Sequence, residues 1–131
     1  MRLEHVSSGA FALVTTALRV VGVALYGASL AVWSGSRVEI YEFDASEEPR
    51  TDPRMVGSFD SLARCAALWD DHIYLCVSNR IEVANYVGSV QSSMGLSDAE
   101  GEPCAVAIAG TTRSGGGESF FYMQREIQIV R

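Results

Sequence analysis

The chain contains the same short pattern twice. Residues 30–43 read LAVWSGSRVEIYEF, and residues 73–86, 43 positions later, read IYLCVSNRIEVANY. A shift by 43 lays Gly22–Phe43 on Cys65–Tyr86 without a gap. The identical pairs are Ala24 and Ala67, Leu25 and Leu68, Arg37 and Arg80, and Glu39 and Glu82. Self-similarity at such a period predicts repeated units that bury their apolar faces against one another.

Each copy predicts three strands joined by tight turns. The strands of the second copy are Cys65–Trp69, His72–Val77 and Arg80–Tyr86, separated by the turns Asp70-Asp71 and Ser78-Asn79. In the first copy Gly35-Ser36 takes the corresponding turn. Asn and Gly tolerate the positive φ that two-residue hairpin turns require. In the last strand Ile81 and Val83 alternate with Arg80 and Glu82, as expected of a half-buried strand.

A fourth strand is predicted after each copy, over Met55–Phe59 and over Gly88–Met94. A third copy begins at Cys104, where CAVAIAG takes the place of RCAALWD. It continues through a longer loop, Thr111–Ser119, into FFYMQREIQIVR, for which two more strands are predicted. The units therefore follow one another at the spacing expected of β-propeller blades.

The predicted fold is all-β: a partial, WD40-like β-propeller of about three four-stranded antiparallel blades. We expect a leading strand or unassigned segment at 1–21, blade 1 at 22–64, blade 2 at 65–103 and a partial blade 3 at 104–131, all in one incomplete propeller domain. A β-sandwich also predicts frequent short strands but does not explain the match in register. Propellers close with four to eight blades, so the missing blades of the same propeller, or a partner chain, are expected to complete the ring.

The charge pattern excludes several classes of function. The net charge is −6, and the sequence contains no lysine. A phosphate-binding loop of the P-loop type and Schiff-base catalysis both need that residue. Nucleic-acid binding is not expected either, because phosphate contact needs clustered basic side chains.

No catalytic, cofactor-binding or metal-binding residue is predicted. Cys65, Cys76 and Cys104 form no CxxC pair and are interpreted as reduced thiols packed as small apolar residues. His5 and His72 are too few to complete a zinc site with them. Hydroxyl residues such as Ser7 have no His/Asp arrangement of recognisable spacing, so the chain is not expected to be an enzyme.

Polar clusters are interpreted as turns and loops. Asp70-Asp71-His72 is predicted to be a solvated turn, and Gly115–Gly117 a hairpin tip, because it lacks the Gly-Lys-Ser/Thr ending of a phosphate loop. Asp44–Arg54 is predicted to be an exposed linker between strands.

The sequence also predicts the surroundings of two aromatic residues and the ion-pair partners of four charged residues. Trp33 and Tyr41 are assigned to the core rather than to ligand stacking. The pairs Arg37/Glu39 and Arg80/Glu82 are predicted to form cross-strand ion pairs between neighbouring blades.

Residues 9–33 leave one alternative open. Arg19 is the only charged residue in that stretch, so a hydropathy plot would mark it as a membrane span. A central charge disfavours insertion by about 2.5–3.5 kcal/mol, and the glycine, serine and β-branched residues suit strands better. A membrane-tethered β domain anchored by residues 9–33 is the alternative; otherwise any membrane contact is expected to be indirect.

The amino-acid sequences of the repeats resemble those of a known family. GVALYGASLAVWSGSRVEIYEF and DDHIYLCVSNRIEVANYVGSVQSSMGLSDAEGEPCAVAIAG are similar to the second WD40-type propeller of the intraflagellar transport protein 140 family. The segments that make this resemblance most specific are Ser78-Asn79-Arg80, Gly88-Ser89-Val90 and Glu100–Cys104. The resemblance covers roughly residues 20–110 and departs after Gly110, and the helical repeats that follow the propellers in that family have no counterpart here.

The resemblance implies a non-enzymatic protein-interaction scaffold of the intraflagellar transport A (IFT-A) complex. Such a scaffold acts in retrograde ciliary and flagellar transport and in cargo entry, with the other subunits of that complex as partners. The implied location is the cilium or flagellum and the basal body, on the cytoplasmic side. The family brings no ligand motif that can be carried over to residues of this chain. A propeller scaffold of another coat or vesicle-trafficking complex is the alternative.

Overall fold

Twelve strands make up the secondary structure that the computed structural model describes, over residues 2–7, 10–43, 53–96, 103, 105–115 and 120–130. The strands are β1 (Arg2–Ser7), β2 (Ala10–Thr15), β3 (Gly22–Tyr26), β4 (Ser29–Trp33), β5 (Arg37–Glu42), β6 (Arg54–Asp60), β7 (Cys65–Trp69), β8 (His72–Val77), β9 (Arg80–Ala84), β10 (Val90–Gly95), β11 (Ala105–Gly115) and β12 (Phe120–Val130).

These strands form antiparallel sheets of two sizes. The first blade consists of β3–β6 in sequence order, and the second blade of β7–β10 in the same order. Two-stranded sheets lie on either side of them in the sequence: the leading hairpin, β1 and β2, and the third unit, β11 and β12. The prediction of an all-β, partial propeller with four-stranded antiparallel blades is confirmed.

The two blades repeat in backbone register as well as in sequence. Gly22 pairs with Trp33 in the first blade, and Cys65 pairs with Cys76 in the second. Each member of the second pair stands 43 positions after its counterpart. At the outer strands the Ser61 amide donates to the Ser36 carbonyl (3.1 Å), and the Leu96 amide donates to the Asn79 carbonyl (2.7 Å). Ser36 and Asn79 are again 43 positions apart, so the backbone carbonyl at this position accepts a hydrogen bond in both blades.

The apolar core lies between sheets rather than inside any one of them. Between the first and second blades lies the main cluster. Its buried members are Ala31, Trp33, Val38, Ile40, Ala63, Ala66, Leu68, Ile73, Leu75, Val77 and Ala84. A second cluster joins Val14 of the leading hairpin to Leu30, Val32 and Tyr41. A third joins the second blade to the third unit through Cys65, Tyr74, Cys76 and Ile81, against Val106, Ile108, Ile127 and Ile129.

Equivalent residues face equivalent neighbours. Val38 and Ile40 pack toward the second blade, and their counterparts Ile81 and Val83 pack toward the third unit. On the opposite face, Leu30 packs toward the leading hairpin and its counterpart Ile73 toward the first blade. Alternation along a strand sends successive side chains to opposite faces. The 43-residue repeat therefore specifies which neighbour each side chain meets.

The third unit differs from its prediction. β11 runs as one strand through Gly115, so Thr111–Gly115, predicted as loop, is strand; residues 116–119 lie outside the described part of the chain. β12 is one strand over Phe120–Val130 rather than two. Eleven register pairs, from Ala105 with Val130 to Gly115 with Phe120, hold this hairpin together. The sequence Gly115–Gly117 predicted where the hairpin turns, but it did not predict how far the pairing of β11 with β12 extends toward that turn.

Other predictions have mixed outcomes. Trp33 and Tyr41 are buried, at 5% and 7% exposure, as predicted. The predicted ion pairs between blades are wrong: Arg37 pairs with Asp60 of the same sheet (2.8 Å), and Arg80 with Glu82 of its own strand (3.5 Å). The register of β5 and β6 places Asp60 directly opposite Arg37 on the neighbouring strand.

The leading segment is structured as a hairpin where one strand or none had been assigned. Residues 10–33 contain β2, β3 and β4, and no helix in the described residues is long and apolar enough to cross a membrane. The predicted linker Asp44–Arg54 lies largely outside the described residues, although its last residue, Arg54, begins β6. The proposed unit boundaries at 22, 65 and 104 stay a prediction.

Gly57 brings the two blades into backbone contact. A Cβ placed on Gly57 of β6 would stand 1.7 Å from the carbonyl oxygen of Tyr86, which follows β9 in the second blade. Gly88, with φ of +90°, lies against the Phe59 ring in the same region. Glycine within a strand commonly marks such a close approach of two backbones.

One cross-strand position is filled differently in the two blades. A Cβ on Gly22 would stand 2.3 Å from Trp33, so the indole occupies the space of the missing side chain. The second blade uses Cys65 and Cys76 at these two positions, and both thiols are buried and form no disulfide. Burial, followed by a hydrogen bond with Cys65, raises the pKa of Cys76 to about 12. The same space is thus filled by one large side chain opposite a glycine in the first blade, and by two small side chains in the second.

We predict strong coupling between positions 22 and 33. Trp33→Cys should cost about 3–5 kcal/mol of unfolding free energy through the cavity it leaves, and Gly22→Cys about 1–3 kcal/mol through overpacking. The double variant reproduces the second blade's pair and should cost less than the sum, with a coupling energy of about 0.5–3 kcal/mol. Urea unfolding of all four proteins measures it; additive costs would contradict the equivalence.

Gly57→Ala should destabilise the protein by about 1–3 kcal/mol or more, because the Tyr86 carbonyl cannot move without displacing the turn that follows β9. Gly95→Ala is the matched control, since Gly95 also lies in an outermost strand and has no atom within 4 Å of its added Cβ. That change should be neutral or stabilising by about 0.5–1 kcal/mol. Equal effects in denaturant unfolding would show that the contact with Tyr86 does not constrain packing.

The Cys76 thiol should make stability fall in alkali. Its pKa is near 9.0 when unperturbed and about 12 when folded, so the folded state holds the proton more tightly. This contribution is fully present below pH 9 and is lost as pH rises toward 12. The free energy of unfolding should therefore decline more in the wild type than in Cys76→Ala across that window. Parallel curves would contradict this assignment.

Candidate interaction surfaces

A polar network fastens the segment before β3 to the first blade. The Thr16 hydroxyl and the Tyr41 hydroxyl both donate to Oε1 of Glu39, the latter at 2.8 Å. The Leu18 amide donates to the Thr16 hydroxyl at 3.1 Å. Burial first, and then the neighbouring Glu39 carboxylate, raises the pKa of Tyr41 to about 12. Glu39, predicted to face another blade's arginine, instead anchors this linker.

A second polar bond crosses between the blades. The Trp33 indole Nε1 donates to the carbonyl of Arg64, which precedes β7, at 3.2 Å. The sequence placed Trp33 in the core but did not reveal this bond. One feature of the sequence could have indicated this bond: the second repeat has Cys76 at the position of Trp33, and a cysteine has no indole N–H to donate.

The predicted turn at Asp70-Asp71 is confirmed. Both residues are exposed and have positive φ, +49° and +61°, the conformation that two-residue hairpins with right-handed twist require. The ring nitrogens of His72 lie 2.8 Å from the Asp70 carbonyl and 2.8 Å from Oε1 of Gln91. In the described residues no three His, Cys, Asp or Glu side chains are grouped so as to hold a metal ion.

One blade face is left uncovered at β3. On this strand Val23 is 47% exposed and Leu25 is 54% exposed. Their counterparts in the second blade, Ala66 and Leu68, are only 7% and 5% exposed because β3 and β4 cover them. We call Val23 and Leu25, together with the neighbouring Val21, the β3 face. The repeat thus shows that this position belongs to an interface between sheets.

A second uncovered face lies on the outermost strand of the second blade. Met94 pairs with Ile81 as Phe59 pairs with Val38, so Met94 is the counterpart of Phe59. Phe59 packs against Gly88 and Tyr86 of the next blade, whereas Met94 is 49% exposed. We call Ser92 and Met94 the β10 face, Ser92 being the counterpart of Gly57. The second blade therefore leaves exposed a position that the adjoining blade covers in the first.

What this arrangement offers chemically is exposed apolar surface suited to association. The open positions include the apolar side chains of Val23, Leu25 and Met94, whose counterparts in the other blade lie at the interface between the two blades. The exposed ion pairs Arg37–Asp60 and Arg54–Glu42 lie at the sheet edges and contribute little to stability.

A comparison with protein families agrees with this architecture. The model of the family described as IFT140 second beta-propeller matches residues 1–111 of the 131-residue chain. The match includes the leading hairpin, where the resemblance read from the sequence was not specific, and it ends within β11, close to the departure seen after Gly110. Membership relates the chain to scaffolds of the IFT-A complex and to cilia. This chain therefore belongs to the IFT140 second beta-propeller family.

Proposed function

We propose that the chain is a non-enzymatic interaction scaffold in the IFT-A complex, supporting retrograde transport along the cilium or flagellum and the entry of cargo. The observation that carries the proposal is the family match over residues 1–111, which spans both complete blades. The blades themselves offer rigid, sheet-based surfaces with apolar faces between them. The proposed partners are the other subunits of that complex, together with further blades of the same propeller.

The proposed location is the cilium and basal body, on the cytoplasmic side, where transport trains assemble. Family membership supports the ciliary part of this location. A scaffold of this kind contacts membrane cargo through other subunits, so any membrane contact of the chain itself is indirect.

Affinity purification tests the assignment. A tagged chain expressed in ciliated cells should enrich IFT-A subunits in quantitative mass spectrometry, and its fluorescent fusion should move from the ciliary tip toward the base. Gly57→Leu should abolish capture, because the larger side chain would force the blades apart at Tyr86. Gly95→Leu, substituted where the structure is open, is the matched control and should retain capture.

Two outcomes would replace the proposal. Enrichment of another coat or vesicle-trafficking complex in place of IFT-A would favour the alternative scaffold. Retention of the chain in the membrane fraction after carbonate extraction, without detergent release, would favour the membrane-tethered alternative anchored by residues 9–33.

A further inference from the structure

The second blade holds two cysteines opposite each other in the hairpin formed by β7 and β8. Cys65 of β7 pairs in register with Cys76 of β8. Directly opposed residues of antiparallel strands have Cα atoms about 4.5–5.5 Å apart, and disulfides join Cα atoms that lie about 4.4–6.8 Å apart. The two strands therefore hold these thiols at a separation that a disulfide spans without moving the backbone.

Both cysteine side chains lie on the same face of the sheet. They belong to the cluster between the second blade and the third unit, and a hydrogen bond joins the Cys76 thiol to Cys65. Cys65 is 5% exposed and Cys76 is 1% exposed. The two sulfur atoms already interact inside the protein, so a bond between them needs no rearrangement of the strands.

The space around the pair accepts a disulfide. In the first blade the same two positions hold Gly22 and Trp33, and one indole fills the site. A disulfide retains every heavy atom of the two cysteines and lacks only their thiol hydrogens. Overpacking, which destabilises a core when atoms are added to it, therefore does not arise.

We propose that Cys65 and Cys76 form a reversible disulfide, which makes the hairpin of β7 and β8 a redox-sensitive element of the second blade. In a reducing compartment the pair stays a dithiol, the form present in the structure. In an oxidising environment the bond ties the two strands together and restricts the unfolded chain, which stabilises the blade. The pair acts in this way whatever complex the blade belongs to.

A small disulfide such as oxidised glutathione is the oxidant. Cys76 holds its proton up to a pKa of about 12, so the first attack falls to Cys65. The Cys65 thiol loses its proton to water, and its sulfur attacks glutathione disulfide, whose S–S bond breaks and releases one glutathione thiolate. The Cys76 sulfur, deprotonated in turn, attacks the Cys65 sulfur of the mixed disulfide and releases the second glutathione thiolate. The two thiolates take up the two protons, so two thiols become one disulfide while glutathione disulfide becomes two glutathione molecules.

The third unit controls access to the pair. Val106, Ile108, Ile127 and Ile129 pack against the cluster that contains both cysteines. Exchange requires an accessible thiolate, so the oxidant reaches Cys65 when the third unit separates from the second blade. Local openings of this kind need less free energy than global unfolding. The rate of oxidation therefore follows the opening of this one interface.

Intact mass spectrometry of the purified chain gives the first test, in a Cys104→Ala background that leaves Cys65 and Cys76 as its thiols. With excess oxidised glutathione the folded chain should lose the mass of two hydrogen atoms, and dithiothreitol should restore both thiols. The same chain in urea should give at least about tenfold less internal disulfide relative to mixed disulfides with glutathione, because unfolding separates the two thiols. A folded chain that stays a dithiol, accumulates mixed disulfides or forms linked dimers would overturn the proposal.

Moving one thiol by one residue tests the geometry. In the same background, the double variant Cys65→Ala, Ala66→Cys places the thiol on the opposite face of β7, since Ala66 belongs to the cluster between the two blades. This thiol should form the internal disulfide with Cys76 at least about tenfold less than Cys65 does. Equal yields from positions 65 and 66 would overturn the proposed pairing.

Two matched core truncations test the route of access. Ile127→Ala weakens the packing of the third unit on the cysteines and should accelerate oxidation by about tenfold or more. Val38→Ala weakens the other interface, between the first and second blades, and should change the rate by about twofold at most. Equal acceleration by both variants would overturn the control of access by the third unit. All three measurements use the purified chain, so they can fail without affecting the assignment to the IFT-A complex.

Discussion

A small antiparallel sheet with two apolar faces cannot bury either face by itself, and this constraint governs the whole molecule. Ala31 and Trp33 of β4 point to one side, while Leu30 and Val32 of the same strand point to the other, and all four are buried. Each side needs a neighbouring sheet, which must present the same kind of face in turn. Stability therefore resides in the spaces between units, and removing one unit exposes its neighbours on both sides.

The contacts between the blades are of three kinds. Apolar side chains fill the inner part of the space, a Trp33 indole bond to the Arg64 carbonyl ties the blades beside them, and Gly57 meets the Tyr86 backbone further out. The apolar contacts vary between blades, as the exchange of Gly22 and Trp33 for Cys65 and Cys76 shows. The backbone contact at Gly57 tolerates no side chain and fixes the spacing of the outer strands.

The sequence predicted strand positions well wherever a patterned apolar segment was bounded by residues typical of tight turns. The strands Cys65–Trp69 and His72–Val77 have the predicted bounds, because the Asp70-Asp71 turn separates two well-patterned apolar runs. It was less informative where partners depend on register: Arg37 finds Asp60, and Glu39 finds Thr16 and Tyr41, none of which can be inferred from spacing within one strand. The extent of β11 and β12 was missed because a polar, glycine-containing sequence can still pair when both strands continue together. The open faces could be recognised only by comparing exposure at equivalent positions of two folded blades.

The length of the third unit gives the molecule an asymmetric outline. β7 and β8 comprise 5 and 6 residues, whereas β11 and β12 comprise 11 each, and their bases lie level because Ala105 occupies the place of Cys65. At about 3.3 Å per residue the excess of five or six residues carries this hairpin roughly 15–20 Å beyond the ends of its neighbours. The protein is consequently a disc segment with a projecting arm. A neighbour approaching along the disc axis from that side would meet the arm before it reached the turns of the blades.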